Sequence, residues 1–184
     1  MIEAELKARV RDPAALRTRL RRLASEEISL YRDTYYDRHG RELTTQGREL
    51  RVRIMETSGV RRAVLTYKEP AADSASGSKP EHETKVADAA VIDEILSVLG
   101  LEHLVTFTKH CANYRFTAKG RDMLATMVTV PEIDGTFLEL ETLTDEADLA
   151  AALGDVRAVL GELGIGEDDL TTEQYTDAVM RARA

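Results

Sequence analysis

Three charged side chains alternate at the start of the chain, in the segment MIEAELKARV. Glu3, Glu5 and Lys7 are two residues apart, and a β-strand places alternate side chains on one face. The segment therefore predicts a strand that presents two carboxylates and an ammonium group together. Such a face can be ordinary solvated surface. It can also bind a divalent metal ion and a phosphate chain, because carboxylates hold Mg²⁺ or Mn²⁺ and an ammonium group attracts phosphate oxygens.

The same alternation of charged and apolar residues recurs in later segments of the sequence. It places the following groups of residues on common strand faces: Arg51 with Arg53, Glu81 with Glu83 and Lys85, Lys109 with Arg115 if no bulge intervenes, and Glu139 with Glu141. Arginine pairs with phosphate through two hydrogen bonds, whereas carboxylates reach phosphate only through a metal. Faces of both signs would suit a metal–triphosphate if the sheet closes around them. If the sheet stays open, they would be solvated and would form no site.

The elements that position these residues are predicted from periodicity and capping signals. Strands are predicted in the opening segment and at 26–38, 48–56, 60–69, 80–87, 103–118, 122–130 and 136–143. Helices are predicted at 13–24 and 88–100, from Thr144 onward, and after Thr171. Short connections between strands favour antiparallel pairing, so the fold class is α+β and mainly β. The apolar reverse of the sheet would be covered by the helices.

Composition narrows the class of protein. The chain has 184 residues, of which 43% are hydrophobic, and this predicts a single domain over 1–184. The net charge of −8 argues against a nucleic-acid partner bound by phosphate neutralisation. The sequence has no apolar run long enough to predict a membrane span, and one cysteine, Cys111, cannot form an internal disulfide. A cytoplasmic location is therefore expected.

The motifs, taken in order, resemble one protein family. They are EAELK at 3–7, RDTYYD at 32–37, LRVR at 50–53, LTYK at 65–68, EHE at 81–83, Lys109, and FLELE at 137–141. This series resembles the CYTH proteins, also called triphosphate tunnel metalloenzymes. The segment LTYKEP is more similar to their bacterial class IV adenylate cyclase branch than to the eukaryotic thiamine triphosphatase branch.

The resemblance implies a closed eight-stranded antiparallel barrel with helices packed outside, enclosing a tunnel for a triphosphate. It implies Mg²⁺ or Mn²⁺ as cofactor, a substrate such as ATP, inorganic triphosphate or thiamine triphosphate, no membrane partner, and by analogy a homodimer. The implied metal ligands are Glu3, Glu5, Glu139 and Glu141, with Glu81 or Glu83 as additions. The implied substrate-binding residues are Arg51, Arg53, Lys68, Lys85, Lys109 and Arg115, and the catalytic candidates are Lys7, Lys68 and Lys109.

Two positions depart from the family pattern. Where the family often has Lys-x-Arg, this chain has Lys109 followed by His110 and Cys111, and Arg115 is a candidate replacement. Thr129 stands where an aspartate is often found. Three functions therefore stay open: an adenylate cyclase that converts ATP to cyclic AMP and pyrophosphate, a triphosphatase, and a non-catalytic module that binds polyphosphate or nucleotide.

Overall fold

The computed structural model describes residues 2–73 and 76–184. Its strands are β1 (Ile2–Val10), β2 (Glu27–Asp37), β3 (Glu49–Thr57), β4 (Val60–Lys68), β5 (Glu81–Val86), β6 (Glu102–Ala118), β7 (Arg121–Val130) and β8 (Ile133–Thr144). Its helices are α1 (Pro13–Leu23), α2 (Glu42–Thr45), α3 (Ala89–Val98), α4 (Leu149–Glu162) and α5 (Tyr175–Ala182), with a 3₁₀ turn at Glu167–Asp169. The strands agree with the predicted alternating segments, whereas the short α2 had no clear signal in the sequence.

All eight strands form one curled antiparallel sheet in the order β1-β8-β7-β6-β2-β3-β4-β5. The register sets oppositely charged residues side by side on the concave face. Lys7 lies opposite Glu139, and Asp33 lies opposite Arg53. Because side chains alternate between the two faces of a strand, the charged positions of several strands converge on this one concave surface.

The prediction of a closed barrel was wrong, because in the described residues no ladder of hydrogen bonds joins β1 to β5. A single bridge between Ile2 and Pro80 connects the two edges. Ser78 and Pro80, which precede β5, occupy the place beside β1: the Ser78 hydroxyl accepts a hydrogen bond from the Glu5 N–H group at 3.3 Å. The strand β5 itself has only six residues, too few to pair along β1. Side chains also cross this seam: Lys68 Nζ lies 2.9 Å from Glu3 Oε2.

The convex face of the sheet is apolar and is covered by helices, as the sequence predicts. Leu16 and Leu20 of α1, together with Val156 and Leu160 of α4, belong to one buried cluster that includes Leu138 of β8. The smaller α3 covers the other half of the sheet through Leu96, which packs with residues of β2 and β3. Among the described residues, no helix is long and apolar enough to cross a membrane.

The prediction that every helix packs outside was wrong for α5, which lies against one end of the concave face. Its Tyr175 and Val179 are buried in a cluster with Tyr35, Phe107 and Phe137. These aromatic residues share strand faces with the charged residues, since Phe137 precedes Glu139 by two positions. This end of the concave face is therefore apolar, and burying it against a helix is favourable.

Candidate active site

The concave face encloses a cavity of about 250 Å³ that is lined mainly by charged side chains. It brings together nearly all the residues singled out from the sequence: Glu3, Glu5, Lys7, Arg51, Arg53, Lys68, Glu81, Glu83, Lys109, Arg115, Glu139 and Glu141. Lys85 is exposed near the end of β5 and does not line the cavity. The interpretation of these faces as solvated surface is excluded for Lys7, Arg51 and Lys109, which are 8%, 7% and 5% exposed.

Three carboxylates form a compact group on β1 and β8. One oxygen each of Glu3, Glu5 and Glu141 lies within 4.8 Å of the other two. The pairing of the strands explains this geometry, since Glu5 is directly opposite Glu141 and Glu3 is two residues before Glu5. Oxygen donors at this spacing suit a hard divalent cation such as Mg²⁺ or Mn²⁺.

The electrostatics of this group also fit a cation. Burial and the neighbouring charge of Glu139 raise the pKa of Glu5 to about 7. Burial, together with the charges of Glu3 and Glu5, holds the pKa of Glu141 well above its usual range. Carboxylates crowded in this way oppose one another's ionisation, and a bound divalent cation would remove that penalty. The residues therefore fit the metal that the resemblance implies.

Glu3 behaves differently because it has a cationic partner. Burial would raise its pKa, but the ammonium group of Lys68 outweighs that effect and the pKa falls to about 2. Lys68 also lies 2.7 Å from Glu81. Lys68 thus neutralises part of the negative charge of the three clustered carboxylates from across the seam between β1 and β5.

The remaining predicted metal ligands have other partners. Glu139 accepts a hydrogen bond from Lys109 at 3.2 Å, and despite its burial the charges of Lys109 and Lys7 lower its pKa. Glu83 accepts a hydrogen bond at 3.0 Å from the hydroxyl group of Thr66. These two carboxylates, and Glu81 beside Lys68, lie around the compact group rather than within it.

Several cationic residues line the same cavity as the three carboxylates. Arg51 donates a hydrogen bond to Thr66 Oγ1 at 3.3 Å, and its Nε is buried without a partner among the described residues. Burial lowers the pKa of Lys7. Cationic groups that are this deeply buried are stable only beside matched charge, so Arg51, whose Nε has no partner in the part of the chain that the structure describes, is suited to bind an anion.

Sequence reasoning missed Asp33, which is fully buried and pairs with Arg53 through two hydrogen bonds of 2.7 Å. Its carboxylate fixes the plane of the arginine that faces the cavity. Asp33 alternates with Tyr31 and Tyr35 on β2, and both tyrosines line the cavity. The period of two, applied to β2 as it was to the other strands, would have found it.

A second missed residue, Tyr175, reaches the cavity from α5. Its ring lies beneath two ammonium groups, with Lys109 Nζ 4.1 Å and Lys7 Nζ 4.5 Å from the ring centroid. No strand periodicity could have revealed it, because it belongs to a helix far along the chain whose docking position is set by tertiary packing.

The two departures from the family pattern occupy different faces. Cys111 is buried on the concave side of β6, and burial raises the pKa of its thiol to about 12, so it is a poor nucleophile. Thr129 is exposed and pairs with His110. It lies on the strand face opposite the one that lines the cavity. Arg115 lines the cavity, on the same face as Lys109.

Comparison with known proteins finds chains of similar sequence and fold. A Methanocaldococcus jannaschii protein named "putative adenylate cyclase" is 26% identical over 180 residues, which are 96% of this chain and 98% of that protein. The solved structure of the PH1819 protein from Pyrococcus horikoshii has a TM-score of 0.83 at 24% identity, covering 97% of this chain and 98% of that one.

A third relative carries information about activity in its description. The Hippeastrum structure is described as a "putative adenylyl cyclase" that "reveals a dominant" triphosphatase activity; it has a TM-score of 0.66 at 18% identity and covers 98% of this chain and 96% of that one. The profile of the CYTH domain matches residues 1–175. With its eight-stranded sheet and its charged concave face, this chain belongs to the CYTH domain family.

Proposed function

We propose that this protein is an enzyme that acts on a linear triphosphate with Mg²⁺ or Mn²⁺. The observation that carries the proposal is that one cavity contains both a compact cluster of carboxylates and buried cations. Glu3, Glu5 and Glu141 form the cluster, and Arg51 and Lys109 are among the buried cations that line the same cavity. A simple anion receptor gains nothing from crowded carboxylates, which argues against the non-catalytic module.

Each group has a role in this proposal. Glu3, Glu5 and Glu141, with Glu139 as a further candidate, would hold the metal, which when bound neutralises charge on the phosphate chain and polarises its oxygens. Arg51, Arg53, Lys68 and Lys109 would bind the phosphate oxygens and stabilise charge that develops on them. Lys7, between the carboxylates and Tyr175, would orient the phosphates or the attacking group.

The first candidate reaction is cyclisation of ATP. The ribose 3′-oxygen attacks the α-phosphorus, the bond from that phosphorus to the bridging oxygen breaks, and pyrophosphate leaves as the hydroxyl proton is lost. The segment LTYKEP and the name of the archaeal relative support this candidate.

The second candidate is hydrolysis of inorganic triphosphate, thiamine triphosphate or a nucleotide. Water attacks the terminal phosphorus and loses a proton, the bond from that phosphorus to its bridging oxygen breaks, and phosphate separates from the shortened phosphate chain. The description of the Hippeastrum structure supports this candidate. The two reactions differ in which phosphorus lies against the attacking oxygen, a matter of about an ångström of placement.

A substrate panel tests the proposal. ATP, inorganic triphosphate and thiamine triphosphate are each incubated with the protein and Mg²⁺ or Mn²⁺, and cyclic AMP and free phosphate are measured separately. Cyclic AMP with pyrophosphate indicates the cyclase; free phosphate alone indicates the triphosphatase.

Two variants make the panel specific. Glu141→Gln removes one carboxylate of the compact group and is expected to lower turnover by at least about 100-fold, the scale of losing a metal-site residue. Glu94→Gln on the exposed part of α3 is the matched control and should match the wild type. Full turnover in Glu141→Gln would overturn the metal assignment, and triphosphate binding without any product would favour the non-catalytic module.

A further inference from the structure

Tyr175 combines two features that a packing residue does not need. Its side chain is 7% exposed, yet its hydroxyl group has no hydrogen-bond partner among the described residues. Leaving a buried hydroxyl unpaired costs free energy, so such a group in a cavity indicates a missing partner. Burial and the Glu139 carboxylate, which lies near enough to interact with the hydroxyl, raise the pKa of Tyr175, but no hydrogen bond of good geometry joins the two groups.

The ring of Tyr175 makes specific contacts of its own. It contacts the ammonium groups of Lys109 and Lys7, and it meets Phe137 edge-on at 5.4 Å between centroids. Cations are attracted to the face of an aromatic ring, so the ring holds both lysines at a fixed distance from it.

The backbone next to Tyr175 is fixed to the same strand as Lys7. The Thr171 N–H group donates to the Lys7 carbonyl oxygen at 2.9 Å, and Lys7 Nζ donates to the carbonyl oxygen of Glu173. These contacts of segment 171–174 with Lys7 fix where α5 begins relative to β1. As a result, Tyr175 lines the same cavity as the carboxylates and the cations.

We propose that Tyr175 is a further substrate-binding residue: its ring positions Lys7 and Lys109, and its hydroxyl donates a hydrogen bond to an oxygen of the bound triphosphate. This inference rests on the proposed function, since the oxygen it requires belongs to the ligand. A triphosphate supplies acceptors in abundance, and the two lysines held by the ring would bring those oxygens to the hydroxyl.

The test compares Tyr175→Phe with the wild type. Phenylalanine keeps the ring and removes only the unpaired hydroxyl, so the thermal midpoint of the free protein should stay unchanged or rise. The dissociation constant for inorganic triphosphate, measured by calorimetry with Mg²⁺, should increase about 3- to 10-fold. The KM for the preferred substrate should increase by a similar factor with kcat nearly unchanged.

Tyr175→Leu separates the ring from the hydroxyl. It should weaken triphosphate binding further than Tyr175→Phe does, because the two ammonium groups lose their aromatic contact. The matched control is Tyr114→Phe, which removes a hydroxyl that donates to Glu26 outside the cavity. It should lower the thermal midpoint and leave the dissociation constant as in the wild type.

The outcomes are distinguishable. If the wild type binds triphosphate and Tyr175→Phe binds it equally well with an equal KM, the role of Tyr175 is overturned and the proposed function stands. If the wild type itself neither binds nor converts any triphosphate, the proposed function fails and the role of Tyr175 fails with it.

Discussion

At the scale of single residues, the site depends on charges that are buried in matched pairs. The pair of Asp33 and Arg53 shows this most clearly, because the carboxylate is fully buried and only the arginine faces the cavity. Removing one partner from such a pair leaves an uncompensated charge in a low-dielectric environment, which costs more than the pair contributes.

Asp33→Asn is therefore expected to lower the free energy of unfolding by about 3 kcal/mol or more at pH 7. Urea denaturation measures this directly. The control is Asp168→Asn, an exposed position that should change the free energy of unfolding by less than about 0.5 kcal/mol. An equally stable Asp33→Asn variant would show that Arg53 does not need its counterion.

The same pair predicts a pH dependence. Despite burial, Arg53 holds the pKa of Asp33 far below its ordinary value. A carboxylate whose pKa is depressed by folding stabilises the protein above its unfolded pKa of about 3.9, and that stabilisation is lost as the pH falls below this value. The free energy of unfolding of the wild type should therefore exceed that of Asp33→Asn by a smaller amount as the pH falls from about 4 to about 2. A constant difference across this range would contradict the assignment.

Much of the site at this scale follows from the sequence, and the reason is physical. Glu3, Glu5, Arg51 and Arg53 alternate with apolar neighbours, so the period of two fixes their common face. Tyr175 has no comparable local signal, since what it contacts depends on how α5 docks.

At the scale of elements, the connection from β2 to β3 is fixed by one carboxylate. Asp37 is 3% exposed and accepts hydrogen bonds from the N–H groups of Arg38, Leu43 and Thr44 and from the Thr44 hydroxyl, at 2.6 to 3.0 Å. It thereby holds the turn and α2, which lead into the strand of Arg51 and Arg53.

Asp37→Ala is expected to lower the free energy of unfolding by about 2 to 3 kcal/mol, because three N–H groups and one hydroxyl group lose the same buried acceptor together. Asp12→Ala is the matched comparison. It removes an exposed helix cap that accepts one hydrogen bond from the Ala15 N–H group at 3.0 Å. The expected loss in the free energy of unfolding is about 1 kcal/mol. Equal losses in thermal or urea denaturation would show that the turn is not held by Asp37.

The bounds of some helices can be predicted from the sequence, but the face of the sheet on which a helix packs cannot always be predicted. The bounds of α1 and α3 follow from the caps Asp12 and Asp88 and from apolar periodicity. The docking of α5 on the concave face does not follow, because its apolar side suits either face of the sheet. The choice is made by the aromatic residues Phe107 and Phe137, which leave that end of the concave face apolar.

At the scale of the whole molecule, the open seam between β1 and β5 is the main departure from expectation. The sequence predicted every strand, but the alternation of charged and apolar residues could not specify whether the sheet closes. The seam is crossed at Glu3 by Lys68 and at Glu5 by Ser78, and Glu3 and Glu5 are two of the residues proposed to hold the metal.

Ligand binding should therefore tighten this seam. With Mg²⁺ and triphosphate added, amide hydrogen exchange in β1 and β5 is expected to slow more than exchange in the interior strands β6 and β7. The Glu141→Gln variant should show little of this protection. Protection spread evenly over the sheet, or absent from its two edges, would contradict a ligand that joins them.

The proposed function requires one cavity to bind a metal at its carboxylates and phosphates at its cations. A crystal structure with Mn²⁺ and a slowly hydrolysed ATP analogue tests this most directly. The expected result is an anomalous manganese peak among Glu3, Glu5 and Glu141, with phosphate density within hydrogen-bond distance of Arg51 and Lys109. Manganese or triphosphate bound outside this cavity, with the concave face unchanged, would contradict the account.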